Sequence, residues 1–207
     1  MMTIIKKSNK ISHMKRIIFF LFTIGIMSCG GSVSGPQFDT NGFETEGIGS
    51  GAQIAEFRDE SGWLLSKGTL SGGVKTGSWT SYHENSNKIK TLTSYVNGQK
   101  NGPEITLNDR GQIESVTEFK NDQFHGLLGK YKFGRPTEET NYKDGKMDGT
   151  FALYDSSGNL QRKGSLKDGK YHGKLQYFDE AGTVTMEYQY KNGEKVGGGI
   201  IESAVAE

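Results

Sequence analysis

Tyr142-Lys-Asp-Gly-Lys-Met-Asp-Gly-Thr-Phe151 is followed, 24 residues on, by Leu166-Lys-Asp-Gly-Lys-Tyr-His-Gly-Lys-Leu175. In both stretches an Asp-Gly pair precedes a second glycine four residues later, and short alternating segments lie on either side. The second glycine, Gly149 or Gly173, belongs to a column that runs Gly77, Gly102, Gly126, Gly149, Gly173, Gly197, at intervals of 25, 24, 23, 24 and 24. A fixed period of 20–50 residues signals stacked repeats, in which each unit buries its apolar side against its neighbours.

Two turn signals recur in each unit. The first is the pair before the closing glycine: Gly72-Gly73, Asn97-Gly98, Asn121-Asp122, Asp144-Gly145, Asp168-Gly169, Asn192-Gly193. A type I′ hairpin turn needs φ > 0 at both central residues, and Gly, Asn and Asp tolerate that best. Asp122 is therefore expected to hold its turn in a left-handed conformation. The second signal falls mid-unit, at Gly62, Asn87, Gly111, Gly134, Gly158 and Gly182. Between the signals, apolar residues alternate with polar ones. One column holds Tyr82, Leu107, Tyr131, Tyr154 and Phe178; another holds Leu70, Tyr95, Phe119, Tyr142, Leu166 and Tyr190. Period-two alternation between turns reads as strands with a buried face. The expected fold is all-β: six tandem β-hairpin repeats of about 24 residues over residues 54–200, forming one elongated antiparallel sheet of twelve strands, with 201–207 as a tail.

These columns resemble the MORN repeat in its bacterial variant form, through Tyr142 to Phe151 with Tyr154 and Gly158, and through Leu166 to Leu175 with Tyr177 and Gly182. The resemblance covers roughly residues 55–199. It implies a scaffold and carries no particular activity. Bacterial proteins with this variant also suggest a second role, that of an envelope immunity or antitoxin-type protein.

The N-terminus carries an address. Lys6, Lys7, Lys10, Lys15 and Arg16 precede Ile17–Met27, an apolar run of eleven residues, and then Ser28-Cys29-Gly30. A basic stretch, a short apolar core and a small-residue site form a secretory signal over 1–29. The run is too short to span a bilayer of about 30 Å as a helix. Translation can begin at Met1 or at Met14. Cys29 is the only cysteine, which excludes an intramolecular disulfide framework and a multi-cysteine metal site. Ile26-Met27-Ser28-Cys29-Gly30 resembles a lipobox, which implies acylation of Cys29 and an envelope protein anchored to a bacterial membrane, the outer one by expectation. The Gly/Ser-rich stretch 30–53 reads as a flexible tether.

Removing the five basic residues of the signal from 25 leaves 20 against 24 acidic ones. A mildly acidic chain offers no electrostatic case for nucleic acid. His125 and His172 each precede a closing glycine, two units apart. At about 4.8 Å per strand they stand too far apart to share an ion. Asp109, Glu138, Glu139, Asp155, Asp179 and Glu180 gather near the mid-unit turns, where acids serve turn chemistry. No nucleophile motif or phosphate loop is present. The expectation is a non-enzymatic scaffold with no metal and no cofactor. It takes a protein partner in preference to a glycan. Most aromatics should build the cross-strand ladder. Trp63 and Tyr188 lie off the main columns and are the expected exposed binding residues.

Overall fold

The computed structural model describes residues 35–201. The signal, Cys29, the start of the expected tether and residues 202–207 lie outside the described residues. No helix is present among the described residues. Fourteen strands form a single antiparallel sheet in strict chain order. They are β1 (Phe43–Gly49), β2 (Ala52–Arg58), β3 (Leu64–Ser71), β4 (Val74–Tyr82), β5 (Ile89–Val96), β6 (Gln99–Leu107), β7 (Ile113–Lys120), β8 (Gln123–Lys132), β9 (Arg135–Lys143), β10 (Lys146–Tyr154), β11 (Leu160–Lys167), β12 (Lys170–Phe178), β13 (Val184–Lys191) and β14 (Glu194–Ile200).

The Asn/Asp-Gly pairs make the expected turns. Asp144 and Gly145 have φ of 48° and 80°, and Asn121 and Asp122 have 50° and 64°, so the non-glycine pair keeps the same left-handed turn. Each turn is also tied to the unit before it. The Gly145 amide donates to the Phe124 carbonyl at 2.9 Å, Gly169 to Met147 at 2.8 Å and Gly193 to Tyr171 at 2.8 Å.

Mid-unit turns account for the uneven period. The common form is a five-residue loop closed by i to i+4 bonds, as from the Asn108 amide to the Gln112 carbonyl and from Asp155 to Asn159. In the unit with the interval of 25 the bond runs one residue further, from His83 to Lys88. Its left-handed residue is Asn85, with φ 53°, and not Asn87 as the column suggests. In the unit with the interval of 23, Lys132 pairs directly with Arg135. There Phe133 and Gly134 form a tight turn with φ of 52° and 76°.

The N-terminal boundary differs from the sequence reading. Residues 43–53, expected to belong to a tether, supply β1 and the start of β2. The Phe38 amide donates to the Gly73 carbonyl at 2.9 Å, and its ring meets Phe43 and Trp79 edge-on at 5.0 and 5.1 Å. Glycine and serine suggested a loose segment, but Phe38 and Phe43 give it apolar surface to bury. The sheet has fourteen strands where twelve were expected.

Residues directly opposite each other on neighbouring strands share a face. The front face carries a central row that runs Trp79, Thr93, Glu104, Thr117, Leu128, Thr140, Phe151, Gly164, Leu175, Tyr188. As far as Leu175, large residues on even strands face small ones on odd strands, so a single sheet reaches burial without a second layer. Trp79, Phe151 and Leu175 are buried, as are Thr93, Thr117 and Thr140. The back face carries the other aromatic column, paired as Tyr82 with Ile89, Tyr131 with Pro136, Tyr154 with Leu160 and Phe178 with Val184.

Candidate functional site

The front face divides into a covered part and an open part. At the N-terminal end, Ala55, Leu70 and Trp79 form a buried cluster, with Phe38, Phe43 and Tyr95 packed against it. The Trp79 indole N–H donates to the Thr69 carbonyl at 3.1 Å. Lys75 Nζ sits 4.4, 4.2 and 5.0 Å from the ring centres of Phe38, Trp79 and Tyr95. This box holds the ammonium by its attraction to the π faces. Burial among the rings, with Lys100 nearby, pushes its pKa below the ordinary lysine value.

Further along, Phe119, Phe124 and Tyr142 stack at 5.1 and 5.3 Å. Phe151, Tyr171 and Tyr190 follow at 5.9 and 5.2 Å. Here an open hollow of about 360 Å³ lies between Glu138, Thr140, Met147, Phe151, Leu153, Arg162, Leu166 and Tyr171. A second, of about 460 Å³, lies on the far side of Arg162, against Tyr177 and Met186. The Arg162 guanidinium stands 5.5 Å from the Phe151 ring and 6.0 Å from that of Tyr177. Its Nε is buried and has no hydrogen-bond partner. The acid on the wall, Glu138, is taken by Lys130 at 2.8 Å; that bond raises the lysine pKa.

Arg162 escaped the sequence reading, although its column holds a signal. On β3, β5, β7, β9 and β13 the same row carries Ser66, Thr91, Ser115, Glu138 and Met186. An arginine in a mostly small, polar column marks a change of use. Tyr188 is a similar case, because its row holds Thr93, Thr117, Thr140 and Gly164 on the earlier odd strands. It is not off the ladder as expected. It is half-buried in the central row, edge-on to Tyr177 at 6.2 Å, with Lys195 Nζ 3.9 Å over its ring. Trp63 closes the first mid-unit turn, where its amide donates to Asp59 Oδ1 at 2.9 Å, and its side chain is exposed. Trp63 and Tyr188 are therefore not brought together: one sits on a turn edge, the other within the front face. Phe133, at the tight turn, is the more exposed aromatic at 68% against 36% for Trp63. The Phe-Gly pair in the shortened unit was its only sequence signal.

The histidines and turn acids have local partners. His125 Nδ1 accepts the Asp144 amide, and His172 Nδ1 accepts the Asn192 amide, each at 3.4 Å. Asp148, in the same column, accepts the Asp168 amide at 3.1 Å. Each side chain thus steadies the turn of the following unit. Among the described residues no three of His, Cys, Asp and Glu meet as a metal site would require. Asp155 Oδ1 accepts the amides of Ser157 and Asn159, both at 2.8 Å. The Asn159 amide, then its side chain, holds the Asp155 carboxyl below the usual aspartate pKa. On the back face the Tyr154 hydroxyl donates to Glu139 at 2.9 Å. Burial first, then this bond, pushes its pKa up to about 12.

A sheet assembled from tandem hairpins in chain order is a repeat scaffold. Residues 171–192 match the model of the MORN repeat variant family, so the chain carries a repeat of that type. The match takes in most of β12, the mid-unit turn and β13, up to the Asn192-Gly193 turn. No curated protein matches the chain.

Proposed function

We propose that the protein is a non-enzymatic scaffold of the bacterial cell envelope, lipid-anchored through Cys29, which presents its front face to a protein partner. The observation that carries this reading is the open part of that face. Aromatic and aliphatic side chains line a hollow there, beside an arginine without an ion pair among the described residues. Tyr, Trp and Arg in well-packed, partly covered pockets supply much of the energy of protein interfaces. Of the carboxylates expected near the turns, Asp155 and Asp179 accept turn amides, Glu138 is paired with Lys130 and Glu139 accepts the Tyr154 hydroxyl, which supports binding over chemistry. The lipobox resemblance at Cys29 supports the anchor.

The test is capture from envelope membranes with the full chain as bait. Met147 is exposed on the rim of the hollow. Met147→Glu combined with Tyr188→Ala should leave the fold and anchoring intact and deplete the captured partner. Trp63→Ala, on the turn edge, should deplete it less. Retention of every partner by the front-face variant refutes the assignment of this face. Fatty-acid labelling should mark the wild type and not Cys29→Ala; label on the alanine variant refutes the anchor.

A further inference from the structure

We infer that the Arg162 hollow is a carboxylate pocket: it takes an acidic side chain of a bound protein segment together with an apolar group beside it. This rests on the reading of the front face as the partner-binding surface. Three features point to this ligand chemistry. Arg162 is a permanent cation in the middle of an apolar wall, with rings of Phe151 and Tyr177 on either side. Its Nε–H is buried without an acceptor, a state that natural proteins rarely leave uncompensated. The only carboxylate on the wall, Glu138, is bonded to Lys130 and accepts the Thr140 hydroxyl at 3.4 Å.

A planar carboxylate satisfies a guanidinium by two parallel hydrogen bonds, from Nε and from one terminal nitrogen. A turn of the guanidinium into the hollow brings the buried N–H out to this acceptor. The rest of the hollow, Met147, Leu153, Leu166 and Tyr171, suits a phenyl or aliphatic group. A phosphate dianion fits less well. The pocket offers one free cation among the described residues, and the Glu138 charge opposes a second negative one. A ligand cation meets Arg162 itself. The preferred ligand is therefore a monoanion joined to an apolar body, as a Glu or Asp beside an aromatic or aliphatic residue presents.

The proposal is tested with the purified full chain and small probes, so its outcome does not depend on finding the partner. The probes are 3-phenylpropanoate, its neutral amide 3-phenylpropanamide, and inorganic phosphate. Binding is followed by NMR on arginine Nε–H and tyrosine ring signals, with the Arg162 signal assigned by its loss in Arg162→Gln. The expected result is that 3-phenylpropanoate moves the Arg162 Nε–H and Tyr171 signals together. The amide should bind about tenfold more weakly or worse, as the loss of a charge-assisted hydrogen bond implies. Phosphate should leave both signals in place. Arg162→Lys keeps the charge and loses the fork, so it should fall between wild type and Arg162→Gln. Equal binding of acid and amide by the wild type overturns the proposal without recourse to any variant. So does phosphate binding as tight as the carboxylate, or unchanged carboxylate binding by a folded Arg162→Gln chain. Carboxylate binding that persists while Met147→Glu leaves partner capture unaffected would instead remove the face assignment and leave the pocket standing.

Discussion

Gly68→Ala is the sharpest test of how this single sheet reaches a core. Gly68 is buried beneath the Trp79 indole. A Cβ built on it lies inside the van der Waals radius of three indole atoms. Its own backbone does not require glycine, since no left-handed φ occurs there. The cost is therefore steric. The indole has little room to move, with Phe38 and Tyr95 edge-on at 5.1 and 6.4 Å and Phe43 at 6.3 Å. Its N–H is also committed to the Thr69 carbonyl. Overpacking a filled site costs about 1–3 kcal/mol, and a displaced buried hydrogen bond adds about 1 kcal/mol. A loss of roughly 2–4 kcal/mol should follow.

In a repeat array the loss falls on the unit and its neighbours. The assay is thermal melting read by Trp79 fluorescence in a Trp63→Phe background, alongside far-ultraviolet circular dichroism. The tryptophan transition should fall by roughly 5–12 °C. The bulk β signal should lag behind it, because β10 to β13 do not touch the site. Gly47→Ala serves as the control, since a Cβ there meets nothing within 4 Å, and it should change little. Wild-type melting of Gly68→Ala, with unchanged Trp79 emission, would refute the packing argument.

Gly145 has φ 80° and open space around its Cβ position, so Gly145→Val should cost about 1–2 kcal/mol from conformation alone and Gly145→Asn clearly less; equal melting temperatures contradict this. Asp155 has a lowered pKa in the fold, so its contribution is present above the ordinary aspartate pKa of about 3.9 and is lost as pH falls through the folded value. The gap in melting temperature between wild type and Asp155→Ala should be open at pH 7 and closed in acid; a gap that widens in acid would sink the assignment. Tyr154 has a folded pKa of about 12 against about 10 unfolded, so its contribution is full below the unfolded value and is lost as pH rises toward 12. Burial also raises the Tyr95 pKa, so ultraviolet titration should show late tyrosinates of which Glu139→Gln brings one earlier, and no change in that step would contradict the hydrogen bond.

The fold was legible because its determinants are local. The six unit-closing turns each have two residues with φ > 0, and all twelve are Gly, Asn or Asp, so their spacing marks each hairpin. Even the irregular intervals had a local cause, a mid-unit turn one residue longer at His83–Lys88 and one shorter at Phe133-Gly134. What the sequence hid depends on which face a column occupies. Tyr82 and Tyr95 lie thirteen residues apart in the chain and look alike as ladder aromatics. They stand on opposite faces of the sheet because Trp79 and Thr93 are paired on the front face, and Tyr82 lies three residues past Trp79 while Tyr95 lies two past Thr93. Composition misled at the N-terminus: glycines and serines around Gly30–Gly51 outweighed Phe38 and Phe43, whose rings close over Trp79. Arg162 was visible as an intruder in its column, but only once the column was known to border a hollow.

The contrast between Lys75 and Arg162 bears on what the face is for. Both are front-face cations resting on aromatic rings. Lys75 is half-buried among three rings, because the chain itself supplies Phe38 as the third wall of its box, and an open hollow of about 310 Å³ lies beside it against Pro36, Tyr95 and Lys100. The segment that brings Phe38 there, from Gly35 onward, is the one that leads out of the expected anchor. Arg162, seven strands further along the sheet, has two rings and no such lid. If burying cations on rings served only to hold the sheet together, the C-terminal half would be expected to supply a third ring as well. It supplies two, and Met147 is exposed on the rim of the hollow there. Phe38 adds stability at the N-terminal end, and the Arg162 end is where the proposed partner gains most by supplying the missing wall.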